Sequence, residues 1–128
     1  MLLITGGAGF LGSNLAATLE RDSRDKIVIC DYINIQKEKN LKKRNSRKIV
    51  HPKNLLHFLN KHKKEIDTIL HLGAISSTTE ENINLVAENN IHLPIKIWDW
   101  CGKNNKRLIY ASSAATYGNG SKGFDDDN

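Results

Sequence analysis

The chain has 128 residues, 39% of them hydrophobic and 26% charged, with a formal net charge of +5. That is the size of one domain, with enough apolar material for a core. No apolar run approaches the roughly 20 residues of a membrane span, and the first apolar segment begins at Met1 with no room for a leader, so a cytoplasmic protein without a membrane partner is expected.

Met1-Leu2-Leu3-Ile4-Thr5 has the apolar brevity of a buried strand, and Gly6-Gly7-Ala8-Gly9-Phe10-Leu11-Gly12 follows at once. Ser13 onward reads as a helix to about Arg21, with Leu15, Ala16 and Leu19 facing inward. Strand, glycine turn and helix in that order form a phosphate-binding unit. Gly6 turns the chain off the strand, Gly9 lets a pyrophosphate approach the backbone, and Gly12 lets the helix close on the sheet. The helix offers free N–H groups and the positive end of its dipole to the anion. The competing reading is a tight turn that binds nothing.

Lys26-Ile27-Val28-Ile29-Cys30-Asp31 reads as a second strand, apolar on both faces. It ends in an acid about 20 residues past the glycines, the distance at which a carboxylate meets an adenosine ribose. The alternative for Asp31 is a solvated loop acid. Cys30 and Cys101 lie far apart without metal-ligand spacing and read as free thiols. Tyr32 to Lys48 is polar, rich in lysine and arginine, and reads as a solvated, mobile loop. It lacks the aromatic interleaving of a nucleic-acid patch, so no nucleic-acid partner is expected. A sharper reading sets one or two of its cations against a 2′-phosphate beside Asp31, which leaves NADP and NAD both open.

Arg47-Lys48-Ile49-Val50 predicts a short third strand, and His51 to Leu59 a helix with Pro52 near its start. His57 and His62 would face apart on a helix, so neither is read as a metal ligand, and no metal is expected. Asp67 to Ala74 predicts a fourth strand running into a small-residue turn that can pass close to a cofactor, with His71 packed at the strand end. Ser76-Ser77-Thr78-Thr79 opens the next helix, either as an N-cap cluster or as a hydroxyl wall facing a polar substrate such as a sugar. That helix is expected to run past Asn89 and Asn90, kink or restart at Pro94, and reach Cys101, with one of Trp98 and Trp100 in the core and the other nearer the surface. Lys106 to Ser113 predicts a fifth strand, and Asp125 to Asp127 a solvated loop. Strands alternating with helices in this way predict an α/β, doubly wound parallel sheet, in which the strand tips bring Gly9, Asp31, Gly73 and Ser113 to one crevice.

Thr5 to Gly12 (TGGAGFLG), Gly73 to Glu80 (GAISSTTE) and Tyr110 to Gly118 (YASSAATYG), with the pair Asn89-Asn90, resemble the extended short-chain dehydrogenase/reductase superfamily. Within it the chain resembles the ADP-L-glycero-D-manno-heptose 6-epimerases. The resemblance covers nearly the whole chain and is weakest from Tyr32 to Val50. It implies a three-layer Rossmann fold. It implies that Gly6, Gly9 and Gly12, with Phe10 and Leu11 through their backbone, hold the cofactor, and that Asp31 and Tyr32 sit at the adenosine ribose. Lys37 and Lys53 fall where the family places cations for a phosphate, which implies NADP before NAD. Leu72, Gly73, Ala74, Ile75 and Ser76 would pass under the cofactor, Asn89 would support it, and Ser113 would be the catalytic hydroxyl on the substrate. Leu72 and Ile75 depart from the family, which often has an acid at the first position and a small or thiol residue at the second. A nucleotide-sugar substrate, ADP-heptose, and a homo-oligomeric whole protein are implied as well.

In such enzymes hydride leaves C6 of the heptose and returns to its other face, while the tyrosine of a Tyr-x-x-x-Lys motif takes the hydroxyl proton. Here Tyr32 is followed four positions on by Gln36, Tyr110 by Ala114 and Tyr117 by Ser121. The family places the motif beyond the second serine of YASSAATYG. The expectation is therefore an N-terminal portion of a longer enzyme, truncated before the substrate-binding part, which keeps the cofactor fold and does not catalyse alone. Another nucleotide-sugar epimerase or dehydratase, or a non-catalytic NADP(H) sensor, are the alternatives.

Overall fold

The computed structural model describes residues 1–42, 44, 48–76 and 81–125. Five short strands, β1 (Leu2–Thr5), β2 (Ile27–Cys30), β3 (Ile49–Val50), β4 (Thr68–His71) and β5 (Arg107–Tyr110), form one sheet in the order β3-β2-β1-β4-β5. Every pairing is parallel, with Leu3 opposite Val28 on one side and Ile69 on the other. The chain builds outward from β1 to β3, then crosses to the other side of β1 for β4 and β5. The reversal lies between β1 and β4, and a crevice opens there at the carboxyl ends of the strands.

The alternation of side chains along a strand sends apolar residues to both faces. On one face Leu3, Val28 and Ile69 pack with Leu55, Phe58 and Leu59 of α3 (Leu55–Lys61) and with Ile97, Trp100 and Cys101 of α5 (Leu93–Lys103). On the other, Ile4, Ile27 and Ile29 meet Ala16 and Leu19 of α1 (Phe10–Asp22) and Leu41 of α2 (Ile35–Leu41). The result is the three-layer α/β sheet expected from the sequence. Trp100 is buried, with its indole N–H donated to Asn60 Oδ1 at 2.8 Å, and Trp98 is exposed. The strand β5 lies at the sheet edge, and its Ile109 and Tyr110 are exposed. No helix among the described residues is long and apolar enough to cross a membrane.

Two elements differ from expectation, and a third shows the form that the expected kink at Pro94 takes. The segment read as a loop after Asp31 contains α2, capped by Asn34, whose side chain accepts the Lys37 N–H at 2.9 Å. Its amphipathic signal is short and lies under the positive charge, and Leu41 packs it against the core. The helix expected from the hydroxyl cluster starts later, at α4 (Ile83–Ala87), and Asn82 caps it by accepting the Leu85 N–H. Ser77, Thr78, Thr79 and Glu80 lie outside the described residues, as do Lys43, Arg47, Asp126 and Asp127. Between α4 and α5 the chain forms a π turn over Glu88–His92, in which the Leu93 N–H reaches back to the Glu88 carbonyl. Pro94 has no N–H to give the Asn90 carbonyl, so the regular bonding pattern fails at the turn before it.

Candidate functional site

The site is built from the tips of β1, β2 and β4. Gly6 leaves β1 at φ +68°, a conformation open to glycine, and its N–H donates to the Cys30 carbonyl at 2.8 Å. A Cβ on Gly6 would lie 2.8 Å from the Gly73 backbone, so the turns after β1 and β4 touch without side chains between them. The first helical bond of α1 is Ser13 N–H to the Gly9 carbonyl, at 3.0 Å. The amides of Phe10, Leu11 and Gly12 precede that bond and have no carbonyl one turn below, which leaves an anion-facing helix end.

Asp31 follows β2 and is buried. Its Oδ2 accepts the Ala8 N–H at 3.0 Å, and its Oδ1 accepts from Lys37 Nζ at 2.5 Å. Asn40 of α2 donates its side-chain N–H to the Ala8 carbonyl at 2.9 Å. The glycine loop is thus gripped at Ala8 from two sides. Burial and, second, the Asp31 charge push the Cys30 thiol up to about 12. On β4, His71 is buried and its Nδ1 lies 2.6 Å from Thr5 Oγ1, which also accepts the Gly73 N–H at 3.1 Å. Burial pushes the His71 imidazole below its ordinary value, which favours the neutral ring.

A cleft of about 690 Å³ opens over these groups. Of the residues singled out in the sequence, Gly6, Gly9, Phe10, Leu11 and Gly12 form one wall, and Asp31, Tyr32 and Lys37 another. Leu72, Gly73, Ala74, Ile75, Ser76 and Asn89 line it as well. Lys53 stands apart from it: the residue is exposed, and its N–H donates to His51 Nδ1 at 3.2 Å as a helix cap. Its neighbour Pro52 reaches the cleft instead. Ser113 is exposed and caps the short helical turn Ala114–Tyr117 by accepting the Ala115 N–H at 3.2 Å; Ala111, two residues earlier, lines the cleft. Thr5, Asn40 and Asn90 were not singled out. Asn40 falls in the segment read as a loop, Thr5 reads as part of the strand, and Asn90 is the unassigned half of the Asn89-Asn90 pair. Among the described residues no group of three or more His, Cys, Asp or Glu side chains is placed to hold a metal ion.

Comparison with known proteins agrees with this geometry. Residues 2–128 match the model of the NAD dependent epimerase/dehydratase family. The chain is 37% identical over 130 aligned positions to an ADP-L-glycero-D-manno-heptose-6-epimerase of Nitratidesulfovibrio vulgaris, covering 99% of this chain and 40% of that protein. It is 35% identical to an enzyme of the same name from Fusobacterium nucleatum, with 99% and 39% covered. The chain therefore spans about 40% of the length of the curated relatives it matches. Among solved structures, the heptose 6-epimerase of Helicobacter pylori superposes with a TM-score of 0.74 at 34% identity, over 92% of this chain and 40% of that one. A UDP-N-acetylglucosamine 4-epimerase of Methanobrevibacter ruminantium gives 0.78 at 30%, over 99% and 42%. A UDP-glucuronic acid 4-epimerase of Bacillus cereus in complex with NAD gives 0.77 at 25%, over 91% and 41%. With its parallel sheet, its glycine turn at the β1 tip and a family match that runs from Leu2 to the last residue, this chain belongs to the NAD dependent epimerase/dehydratase family.

Proposed function

We propose that this chain is the dinucleotide-binding part of a nucleotide-sugar epimerase, and that the longer protein inverts C6 of ADP-glycero-D-manno-heptose with tightly held NADP. The observation that carries the reading is the contact of two glycine turns, Gly6 against Gly73, at the strand reversal beneath an open helix end. A Cβ on Gly12 would lie 2.2 Å from the Gly6 carbonyl oxygen, so α1 sits too close to the loop for any side chain there. That close approach, at a helix start without a side-chain cap, fits a pyrophosphate.

Asp31 has used one lone-pair site on each oxygen, and a carboxylate has about four, so it can still accept from ribose hydroxyls. Lys37 offsets its charge in the same corner of the cleft, which favours a dinucleotide with a 2′-phosphate; Lys53 adds nothing from its present position. When bound, the nicotinamide would accept hydride from the carbinol carbon and give it back on the other face, avoiding removal of a very weakly acidic C–H proton. The Ser113 hydroxyl, which accepts from Ala115 N–H, has its own proton to give a substrate oxygen. No tyrosine of this chain is followed four residues on by lysine, so the base for the hydroxyl proton has to come from elsewhere in the longer protein.

The names of the relatives support ADP-heptose as substrate, and a homo-oligomeric, cytoplasmic whole enzyme remains part of the proposal. The test is NMR of the sugar product. The longer protein is expected to convert ADP-D-glycero-D-manno-heptose to its L-glycero epimer, while the 128-residue chain binds NADP without turnover. Inversion at a different carbon of another nucleotide sugar would replace the substrate assignment. Binding without any turnover by the longer protein would favour an NADP(H) sensor.

A further inference from the structure

We propose that the end of the sheet opposite the cleft is a docking face for an anionic lipid bilayer. In a parallel sheet every strand starts at the same end, and the chain has to return there before each new strand. Three of these returns, residues 23–26 before β2, 61–67 before β4 and 103–107 before β5, hold eight lysines and arginines and three acids. Their balance of +5 equals the formal net charge of the whole chain. Lys48, just before β3, stands with them. The Glu65 carboxyl is held below its ordinary range first by the His62 hydrogen bond and then by the charges of His62, Lys26 and Lys48, so the starts of β2, β3 and β4 act on one group.

Ordinary requirements account for part of this charge only. A cation in the last turn of a helix answers its dipole, and Arg21 in α1, Lys61 in α3 and Lys103 in α5 do so. Arg24, Lys26, Lys63, Lys64, Lys106 and Arg107 lie beyond the helix ends. None of the eight cations forms an ion pair with another described residue. The acids are engaged instead: Glu65 with His62 Nδ1 at 2.8 Å, Asp67 with the Met1 ammonium at 2.5 Å, and Asp25 with the Ser23 hydroxyl at 2.8 Å. All the cations but the half-buried Lys106 are exposed. Solubility asks for net charge anywhere on the surface, whereas here it is gathered at one end.

The face is level. Below the strands the ladder continues for one rung: the Leu2 N–H reaches the Lys26 carbonyl at 2.9 Å, the Asp67 N–H the Met1 carbonyl at 3.0 Å and the Arg107 N–H the Asp67 carbonyl at 3.2 Å. From β2 to β5 the adjacent strands span about 15 Å, so the charges lie within about two screening lengths at physiological salt. The three returns contain no Phe, Tyr or Trp, and their one large apolar side chain, Ile66, is fully buried. The bases of a single-stranded nucleic acid would find nothing to stack on. Six of the eight cations are lysines, point charges without the arginine fork that fits one particular phosphate. A layer of lipid headgroups needs neither: it draws clustered lysines by their field, each adding about fivefold to the affinity. Apolar run length, on which the expectation of no membrane partner rested, speaks only to spanning helices. Docked this way, the cleft lies at the far ends of the strands, about 13 Å on, and faces the solution.

The test is sedimentation of the 128-residue chain with vesicles of phosphatidylcholine alone or mixed equally with phosphatidylglycerol, at low salt and at about 1 M, where the screening length falls to about 3 Å. Binding is expected to the mixed vesicles alone, and to be lost at the higher salt. Lys63→Gln with Lys64→Gln should weaken it about thirtyfold. Lys39→Gln with Lys122→Gln makes the same change of charge at exposed positions off the three returns and should weaken it by less than about threefold. Mixed nanodiscs carrying a spin-labelled lipid should broaden the Lys26, Lys64 and Lys106 amide signals before those of Gly9 and Tyr32. Equal losses in the two double variants would leave net charge as the whole cause, in folded or unfolded chain, and would overturn the docking face. An absence of binding to the mixed vesicles would do the same. Broadening first at Gly9 or Tyr32 would turn the cleft to the lipid and overturn the proposal. Tighter binding to duplex DNA or RNA than to the mixed vesicles at one salt concentration would overturn it in favour of a nucleic acid on this face.

Discussion

Replacing Gly12 by alanine tests how closely α1 must approach the glycine loop. An ideal Cβ at Gly12 lies 2.2 Å from the Gly6 oxygen, 2.7 Å from Gly7 Cα and 2.9 Å from the Gly6 carbonyl carbon. All three are backbone atoms, so no side chain can swing aside. Carbon–oxygen contacts settle at about 3.3 Å or more, so the helix start has to retreat by roughly 1 Å. Overpacking in a tight region costs typically about 1–3 kcal/mol, and backbone on both sides places Gly12→Ala toward the upper end. For a domain of this size 1 kcal/mol moves Tm by roughly 3–5 °C, so a fall of roughly 8–15 °C is expected. The retreat also pulls the Phe10 and Leu11 amides away from the anion position, and NADP affinity should fall at least about tenfold. Gly102→Ala is the control. It sits in the last turn of α5 with nothing within 4 Å of its Cβ position, and should gain about 0.5–1 kcal/mol from reduced unfolded-chain entropy. Thermal unfolding by circular dichroism with a dinucleotide titration reads both effects. A Gly12→Ala chain with wild-type Tm and wild-type affinity would refute the close-approach reasoning.

Asp31→Ala leaves the Ala8 N–H without its acceptor and the Lys37 ammonium without its partner. It should lower stability by about 1–3 kcal/mol in denaturant titrations, whereas Asp31→Asn, which keeps an acceptor for Ala8, should lose less. For His71 the sign follows from burial: the folded imidazole titrates below its ordinary 6.5, so its contribution is fully present above about pH 6.5 and is lost as pH falls toward the depressed folded value. Tm should therefore drop between pH 7 and pH 5 in wild type and drop less in His71→Gln, and equal slopes would contradict the assignment. Cys30, pushed up to about 12 by burial, and Cys101, shifted in the same direction by the same cause, should resist a thiol reagent at pH 8 until the chain unfolds. Rapid native labelling of Cys30 would show that the β2 tip is open.

The fold and most of the cleft lining were legible because both depend on local pattern. Apolar runs of strand length such as Ile27 to Cys30, and Gly6, Gly9 and Gly12 at a strand end, carry their structural meaning in the residues themselves. What could not be read depends on contacts between distant segments. The short helix α2 is held by its Asn34 cap, by Leu41 against the core, and by Lys37 and Asn40 reaching Asp31 and the Ala8 carbonyl, contacts that do not show through a lysine-rich segment. Its Asn40 matters because it meets Ala8, far away in sequence. The Asp31 carboxylate was placed at the strand tip, but its grip on the loop amide and its pairing with Lys37 need coordinates. Proline explains the π turn before Pro94, and the resemblance had assigned Asn89 to the cofactor, yet the pairing of Asn90 with the Ile75 backbone follows only from the geometry.

The measurement to make first is a calorimetric titration of the purified 128-residue chain with NADP⁺ and, separately, NAD⁺, alongside circular dichroism that establishes folded protein. One saturable site per chain, tighter for NADP⁺ and weakened by Gly12→Ala, is the expected result. A folded chain that binds neither dinucleotide would contradict the assignment of the cleft as a cofactor site.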